Sequence, residues 1–198
     1  MKIIAFFALS YILGSIPFCF ILARLCRGVD LRKEGSGNVG ATNLYRVCGL
    51  PFGIAGFLLD FLKGFLAVFI ADKIGGLQGL SVVFAGFLAI LGHVFPVFLK
   101  FKGGKAVSTS AGVLFYFSPL LFVLSFLIFA LTYLKTRIVS LSSIIAALFL
   151  GVASVLGFYC FNVEKFVVLY CVAVAVAILI FHRENIRRLV KGEERKTL

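Results

Sequence analysis

The chain has 198 residues, of which 62% are hydrophobic and only 14% charged, and its mean hydropathy is +1.12. That is more apolar surface than a soluble domain of this size can bury, so an ordinary globular protein is excluded and lipid must be part of the solvent. The net charge of +12 implies no nucleic-acid partner, because the basic residues fall in short clusters between apolar runs and form no continuous basic face.

A crossing of the hydrocarbon core takes about 20 residues, so one domain over residues 1–198 has room for about six or seven spans. Met1 and Lys2 open an apolar stretch that runs to about Ala23 without an A-x-A site and is stopped by Arg24 and Arg27. A first membrane helix is the better reading than a signal peptide. Further apolar segments cover 51–71, 79–99, 106–134, 138–160 and 166–182. The fourth is long and holds Ser118-Pro119 near its middle, where a helix ends or kinks.

Charge decides between a kink and a reversal. If 106–134 crosses once, the basic residues at 100–105 and 135–137 lie on opposite sides, and the basic tail lands outside. If the chain turns at Pro119, sixteen of the twenty lysines and arginines share one side, with Lys63 inside the second span and Lys2, Lys73 and Lys165 outside. The pattern therefore predicts an all-α, polytopic membrane protein of seven transmembrane helices, N-terminus outside and C-terminus cytoplasmic. Helices four and five would each have about 14–16 residues, or roughly 21–24 Å. Residues 191–198 read as a polar tail that frays. The five cysteines contain no C-x-x-C pair and read as small hydrophobes, with neither disulfide nor metal intended.

The first basic loop contains Gly35-Ser36-Gly37-Asn38-Val39-Gly40-Ala41-Thr42-Asn43-Leu44-Tyr45-Arg46. Its glycines let amides turn toward a common point, and Ser36, Asn38, Thr42 and Asn43 add neutral donors. Arg46 adds a guanidinium fork, and the set suits a phosphate. A flexible turn whose polar groups serve their own backbone fits equally well.

Phe101-Lys102-Gly103-Gly104-Lys105 repeats the recipe before a helix that starts near Ala106, where free amides and the helix dipole favour an anion. Ordinary cytoplasmic charge explains Lys100 and Lys102 but not the paired glycines. The Walker spacing is absent, so ATP gains no support. His93, late in the third span, is a structural histidine or a site candidate. Asp60 and Lys63, three residues apart inside the second span, share a face and most simply pair. Ser140-Leu141-Ser142-Ser143 and His182-Arg183-Glu184-Asn185 reach the same cytoplasmic side under the seven-helix topology, although the serines could simply bond to their own helix. Common hydrolase, acyltransferase and zinc signatures are absent.

Five ordered motifs are nevertheless familiar: Ser36 to Asn43 with Arg46, Leu59-Asp60-Phe61-Leu62-Lys63-Gly64, Gly92-His93-Val94-Phe95-Pro96, Phe101 to Lys105, and His182 to Asn185. Over essentially its whole length the chain resembles the bacterial acyl-phosphate:glycerol-3-phosphate acyltransferases, the PlsY family. It departs where Ala106 follows Lys105, since a further glycine is usual there. The resemblance implies seven helices in a bacterial inner membrane and transfer of a fatty acyl group from acyl phosphate to the sn-1 hydroxyl of glycerol 3-phosphate. The products would be 1-acyl-glycerol 3-phosphate and phosphate, as a step of phospholipid synthesis. It implies no cofactor and no metal, with membrane lipids and the enzyme supplying acyl phosphate as partners, and a substrate phosphate that assists proton transfer. By motif position Ser36, Lys105, Ser143, His182 and Asn185 would be catalytic. Asn38, Thr42, Asn43, Arg46, His93, Lys102, Gly103 and Gly104 would bind substrate. A transporter of phosphate-bearing solutes is the alternative from another class, but no inverted repeat is visible. A purely structural module whose loops touch only headgroups is a third.

Overall fold

The computed structural model describes residues 2–197, and among these the chain forms helices, turns and loops without a strand. Met1 and Leu198, the two ends of the predicted domain, lie outside the described residues. The rest forms two compact units, one up to Tyr116 and one from Phe117.

In the first unit the opening segment is two helices, α1 (Lys2–Ser15) and α2 (Phe18–Arg27), where the hydropathy pattern gave one. Pro17 lacks an amide hydrogen and breaks the ladder. The second helix runs through Arg24 and stops at Arg27, within the pair of arginines expected to end the apolar stretch. It ends where Gly28 turns into the left-handed region at φ 69° and donates to the carbonyl of Arg24. There follow α3 (Ala41–Cys48), unforeseen inside the glycine-rich loop, and α4 (Leu50–Phe69), which runs into a π-helical turn at Ile70–Ile74. Next come α5 (Leu80–Val94), a 3-10 turn at Val97–Leu99, and α6 (Val107–Phe117).

Lipid tails are as apolar as leucine, so helices in a membrane associate mainly through close packing at small residues. A Cβ on Gly14 of α1 would lie 2.0 Å from the carbonyl oxygen of Ala89 on α5, and one on Gly92 of α5 would lie 2.3 Å from that of Tyr11. Gly112 of α6 and Gly64 of α4 do the same for that crossing, 1.9 Å from the carbonyl oxygen of Phe61 and 2.2 Å from that of Thr109. A separate apolar cluster of Cys19, Ala23, Leu31, Val39, Leu44 and Leu99 lies beneath the segment between α2 and α3.

The second unit holds α7 (Pro119–Thr136), α8 (Val139–Phe161), α9 (Lys165–Phe181) and α10 (Arg183–Val190). The predicted break at Ser118-Pro119 is present: Ser118 is extended and its Oγ accepts from the amide of Leu121 at 3.3 Å. The helices on either side are unequal, however, with 11 residues in α6 and 18 in α7 instead of about 14–16 each. Ala106 stands at φ 70° and delays the first, while the second continues until Arg137 turns left-handed at φ 59°.

Among the described residues five helical stretches are long and apolar enough to cross a membrane, or six if the 62° bent pair α9 and α10 counts as one crossing. At about 1.5 Å per residue α6 is far shorter than the roughly 30 Å hydrocarbon core. Large apolar side chains lie uncovered on the second unit, such as Leu120 at 68% and Phe161 at 82% exposure, as lipid-facing positions should.

Candidate active site

Asn43 organises the first loop. Fully buried on α3, it accepts the amide of Ser36 at 2.8 Å through Oδ1 and donates through Nδ2 to the carbonyls of Leu31 and Glu34, at 3.1 and 3.0 Å. Gly35, at φ 60°, would place a Cβ 2.3 Å from that same Oδ1, so only glycine lets the chain pass so close. The loop is therefore a built object and not a flexible turn. Ser36 lies exposed beside this anchor, and Asn38 is half-buried with its amide packed over Gly40. Thr42 and Arg46 are half-buried one turn apart on α3, where positions i and i+4 share a face.

Upstream, Asp30 accepts from Arg32 at 3.0 and 2.7 Å, with Arg24 at 3.7 Å. The Arg32 hydrogen bonds hold the Asp30 carboxyl well below the usual carboxylate range.

The second loop folds onto the end of α5. The amides of Gly103 and Gly104 donate to the carbonyls of Val94 and His93 at 3.0 and 3.1 Å. A Cβ on Gly103 would lie 2.1 Å from the His93 carbonyl oxygen, and one on Gly104 would lie 2.1 Å from His93 Nε2. These glycines thus give close packing and spend their amides on the protein, leaving Lys102, exposed, and Lys105, half-buried, as the charged groups that the loop presents.

Beneath it is a buried charged set that sequence reading only half resolved. Asp60 Oδ1 lies 2.8 Å from Lys63 Nζ, the pairing expected from their spacing, and 3.8 Å from His93 Nδ1, which was not expected. Cys19 Sγ donates to Asp60 Oδ2 at 3.2 Å, and Lys63 donates to the Ile16 carbonyl at 2.8 Å, at the break between α1 and α2. Asp60, Lys63, His93 and Cys19, with Ser15 and Gly104, line a cavity of about 10 Å³. The available signal was three ionisable side chains in neighbouring spans, since such groups inside a membrane protein seek one another.

In the second unit Ser143 is buried and donates to the Val139 carbonyl at 2.9 Å, the back-bond anticipated as its simpler role. His182 is buried at the bend between α9 and α10, with Nδ1 2.8 Å from the Ile178 carbonyl oxygen. A carbonyl only accepts, so Nδ1 is the donor in this contact. Asn185 Nδ2 donates to Glu194 at 2.6 Å. Glu194 was not among the expected site residues.

The family model for glycerol-3-phosphate acyltransferase matches residues 4–192. The chain belongs to that family. A relative from Aquifex aeolicus, named glycerol-3-phosphate acyltransferase, is 44% identical over 99% of this chain and all of its own length. One from Geobacter sulfurreducens with the same name is 44% identical over 96% of this chain and 94% of its own. The fold is similar to a crystal structure of PlsY, an integral membrane glycerol 3-phosphate acyltransferase, in its glycerol 3-phosphate form: TM-score 0.89, 41% identity, covering 99% of this chain and 96% of that one. Its lysophosphatidic acid form matches with a TM-score of 0.87 and 40% identity over 99% and 95%. The chain is thus a multi-pass integral membrane protein of this family. Its departure from the family motif also has a structural reading: Ala106, buried at φ 70°, occupies a conformation that glycine adopts without strain.

Proposed function

We propose that the chain transfers a fatty acyl group from acyl phosphate to the sn-1 hydroxyl of glycerol 3-phosphate, at the cytoplasmic face of a bacterial inner membrane. Acyltransferase chemistry on glycerol 3-phosphate follows from family membership, and the acyl-phosphate donor agrees with the likeness to PlsY. The observation that carries the reading is the pair of glycine loops, one braced by Asn43 and one by His93, each presenting cations beside a rigid backbone.

An acyl phosphate is a mixed anhydride with a good leaving group. Catalysis therefore needs alignment of the glycerol hydroxyl with the acyl carbonyl, and donors for the oxyanion and the departing phosphate. Ser36, Asn38, Thr42 and Arg46 would hold glycerol 3-phosphate, with Asn43 fixing their loop. Lys105 and Lys102 would hold the acyl phosphate, and Gly103, Gly104 and His93 would set the height of that loop. Ser143, His182 and Asn185 would act on the same reaction, with a substrate phosphate taking the hydroxyl proton. The whole chain works as one domain, a reading supported by a family match spanning both units.

The topology that goes with this has seven spans, α6 being one, with the basic clusters inside. Single cysteines placed at 33 and 74 in a cysteine-free background should be blocked from the cytoplasm and from outside respectively. The opposite labelling would reject the orientation.

The activity is tested with purified protein in detergent, palmitoyl phosphate and glycerol 3-phosphate, following phosphate and lysophosphatidate together. Equal release of both, dependent on acyl phosphate, absent with palmitoyl-CoA and lost in Lys105→Ala, is the expected result. Product from the CoA thioester instead would overturn the donor assignment, and no product at all from folded protein would overturn the activity.

A further inference from the structure

Residues 191–198 were expected to fray, and the described part of that tail does not. Gly192, at φ 71°, ends α10 with a paired closure: its amide donates to Leu189 at 3.1 Å and the next, of Glu193, to Arg188 at 2.8 Å. This is the reversal that a glycine just past a helix produces, and it sends the chain back over the second unit. The backbone amide and hydroxyl of Thr197 both donate to the Arg137 carbonyl at 2.8 Å.

Between these two anchors lies Glu194, with its side chain 6% exposed. Oε1 accepts from Ser140 Oγ at 2.7 Å and from Asn185 Nδ2 at 2.6 Å, while Oε2 accepts from Arg188 Nε at 2.6 Å. Ser140 belongs to the first turn of α8, whose amide end also favours a negative charge.

We infer that Glu194 is a positioning residue for the acyl transfer, acting through Asn185. The inference rests on the assignment of Asn185 to the active site. An asparagine amide can turn over and exchange its donor and acceptor ends, and only its partners decide which way it faces. A carboxylate can only accept, so Glu194 holds the NH2 end toward itself and turns the carbonyl end of Asn185 away from the tail. Hydrogen bonds to an ionised partner are the strong ones, and the same oxygen ties Asn185 to Ser140, so the α10 residue is registered against α8. Without the carboxylate the amide loses the acceptor that holds its NH2 end toward the tail, and a catalytic group out of place costs rate more than binding.

The experiment is a double-substitution cycle on the full chain, read as kcat and KM for glycerol 3-phosphate in the acyl-phosphate assay, at enzyme concentrations high enough to time slow variants. Glu194→Ala should lower kcat about 10-fold with little change in KM, and Glu194→Gln, which keeps an acceptor for Asn185, should recover most of that loss. In an Asn185→Ala background the same Glu194→Ala change should cost no more than about twofold, because the group it positions is gone. Equal losses in both backgrounds would mean a merely structural tail and would overturn the inference, as would a fully active Glu194→Ala beside an impaired Asn185→Ala. A fully active Asn185→Ala would instead remove Asn185 from the site, a separate failure. Should Glu194→Ala not accumulate, Glu194→Asp serves in its place: it keeps the charge but falls one methylene short. An active Asp variant with an inactive Gln variant would show that charge, not amide orientation, is what matters.

Discussion

Gly104→Ala adds one methyl group at a place where the structure leaves no room. The new Cβ would lie 2.1 Å from His93 Nε2, 2.8 Å from Cε1 and 3.0 Å from Cδ2, against an ordinary contact of about 3.5 Å. Backbone conformation is not the obstacle, because Gly104 is outside the left-handed region. The ring cannot easily withdraw, since it is 5% exposed and its Nδ1 faces Asp60 at 3.8 Å. The loop cannot lift without breaking the Gly103 and Gly104 amide bonds to α5. Overpacking of this kind costs about 1–3 kcal/mol. Lys105 is the next residue, and a shift of about 1 Å in a positioned group can cost on the order of 100-fold in rate. The acyl-phosphate assay should therefore show kcat/KM down by about 100-fold with only a few degrees lost in Tm. Removing the ring should make room: in a His93→Ala background Gly104→Ala should cost less than about threefold. A Gly104→Ala enzyme of normal activity, or an equal loss with and without the ring, would refute this account.

Further outcomes follow from the buried charges, the loop backbone and the tail. Asp60→Ala leaves the Lys63 ammonium without its carboxylate in a buried site and should destabilise by about 3–5 kcal/mol. The Asp60→Ala/Lys63→Met pair should be milder, and additive losses in detergent melting would contradict a coupled pair. At position 106, glycine should be within about 1 kcal/mol of alanine, because relief of the left-handed strain is offset by chain entropy and a lost buried methyl. Ala106→Val should destabilise clearly, since β-branched residues rarely adopt φ 70°, and equal melting of the two variants would refute the strain. Glu194 is disfavoured as an anion by burial, but hydrogen bonds from Ser140, Arg188 and Asn185 outweigh that and lower its pKa. A depressed carboxyl contributes its stability above the unfolded value of about 4.3 and loses it as pH falls through the folded one. Amide protection at residues 194–197, corrected for intrinsic rates, should hold from pH 7 to about 5 and fail only below about 4. Loss between pH 6 and 5 would argue against the anchor.

The elements legible in the sequence were those fixed by local chemistry. Long apolar runs forced the helices, and Ser118-Pro119 carried both a cap and a breaker, so that break was visible. Pro17 carried the same breaking chemistry but sat in a short, evenly apolar run, where hydropathy alone joined α1 to α2. α3 was hidden for the opposite reason: Asn43 and Thr42 are poor helix formers and usual turn residues, and only the tertiary bonds of Asn43 to Leu31, Glu34 and Ser36 make that stretch a packed corner.

The same division runs through the site. Motif spacing placed Asp60 against Lys63 because the pair lies within one helix turn, but it could not bring His93 to them across 33 positions of chain. The glycine pair at 103–104 stood apart from ordinary charge and was read as part of an anion site, whereas the close contact it makes with the ring and carbonyl of His93 exists only after α5 and the loop are folded together. Glu194 was the hardest case. Its neighbours give it the composition of a solvated tail, and the one local clue is Gly192, whose place just after a basic last helical turn predicts a reversal. A chain reversed at that point has to lie back on the unit it came from. A carboxylate carried there meets the Ser140 hydroxyl of α8 and the Asn185 side chain and Arg188 guanidinium of α10, so the charge that made the tail look unattached is also what attaches it.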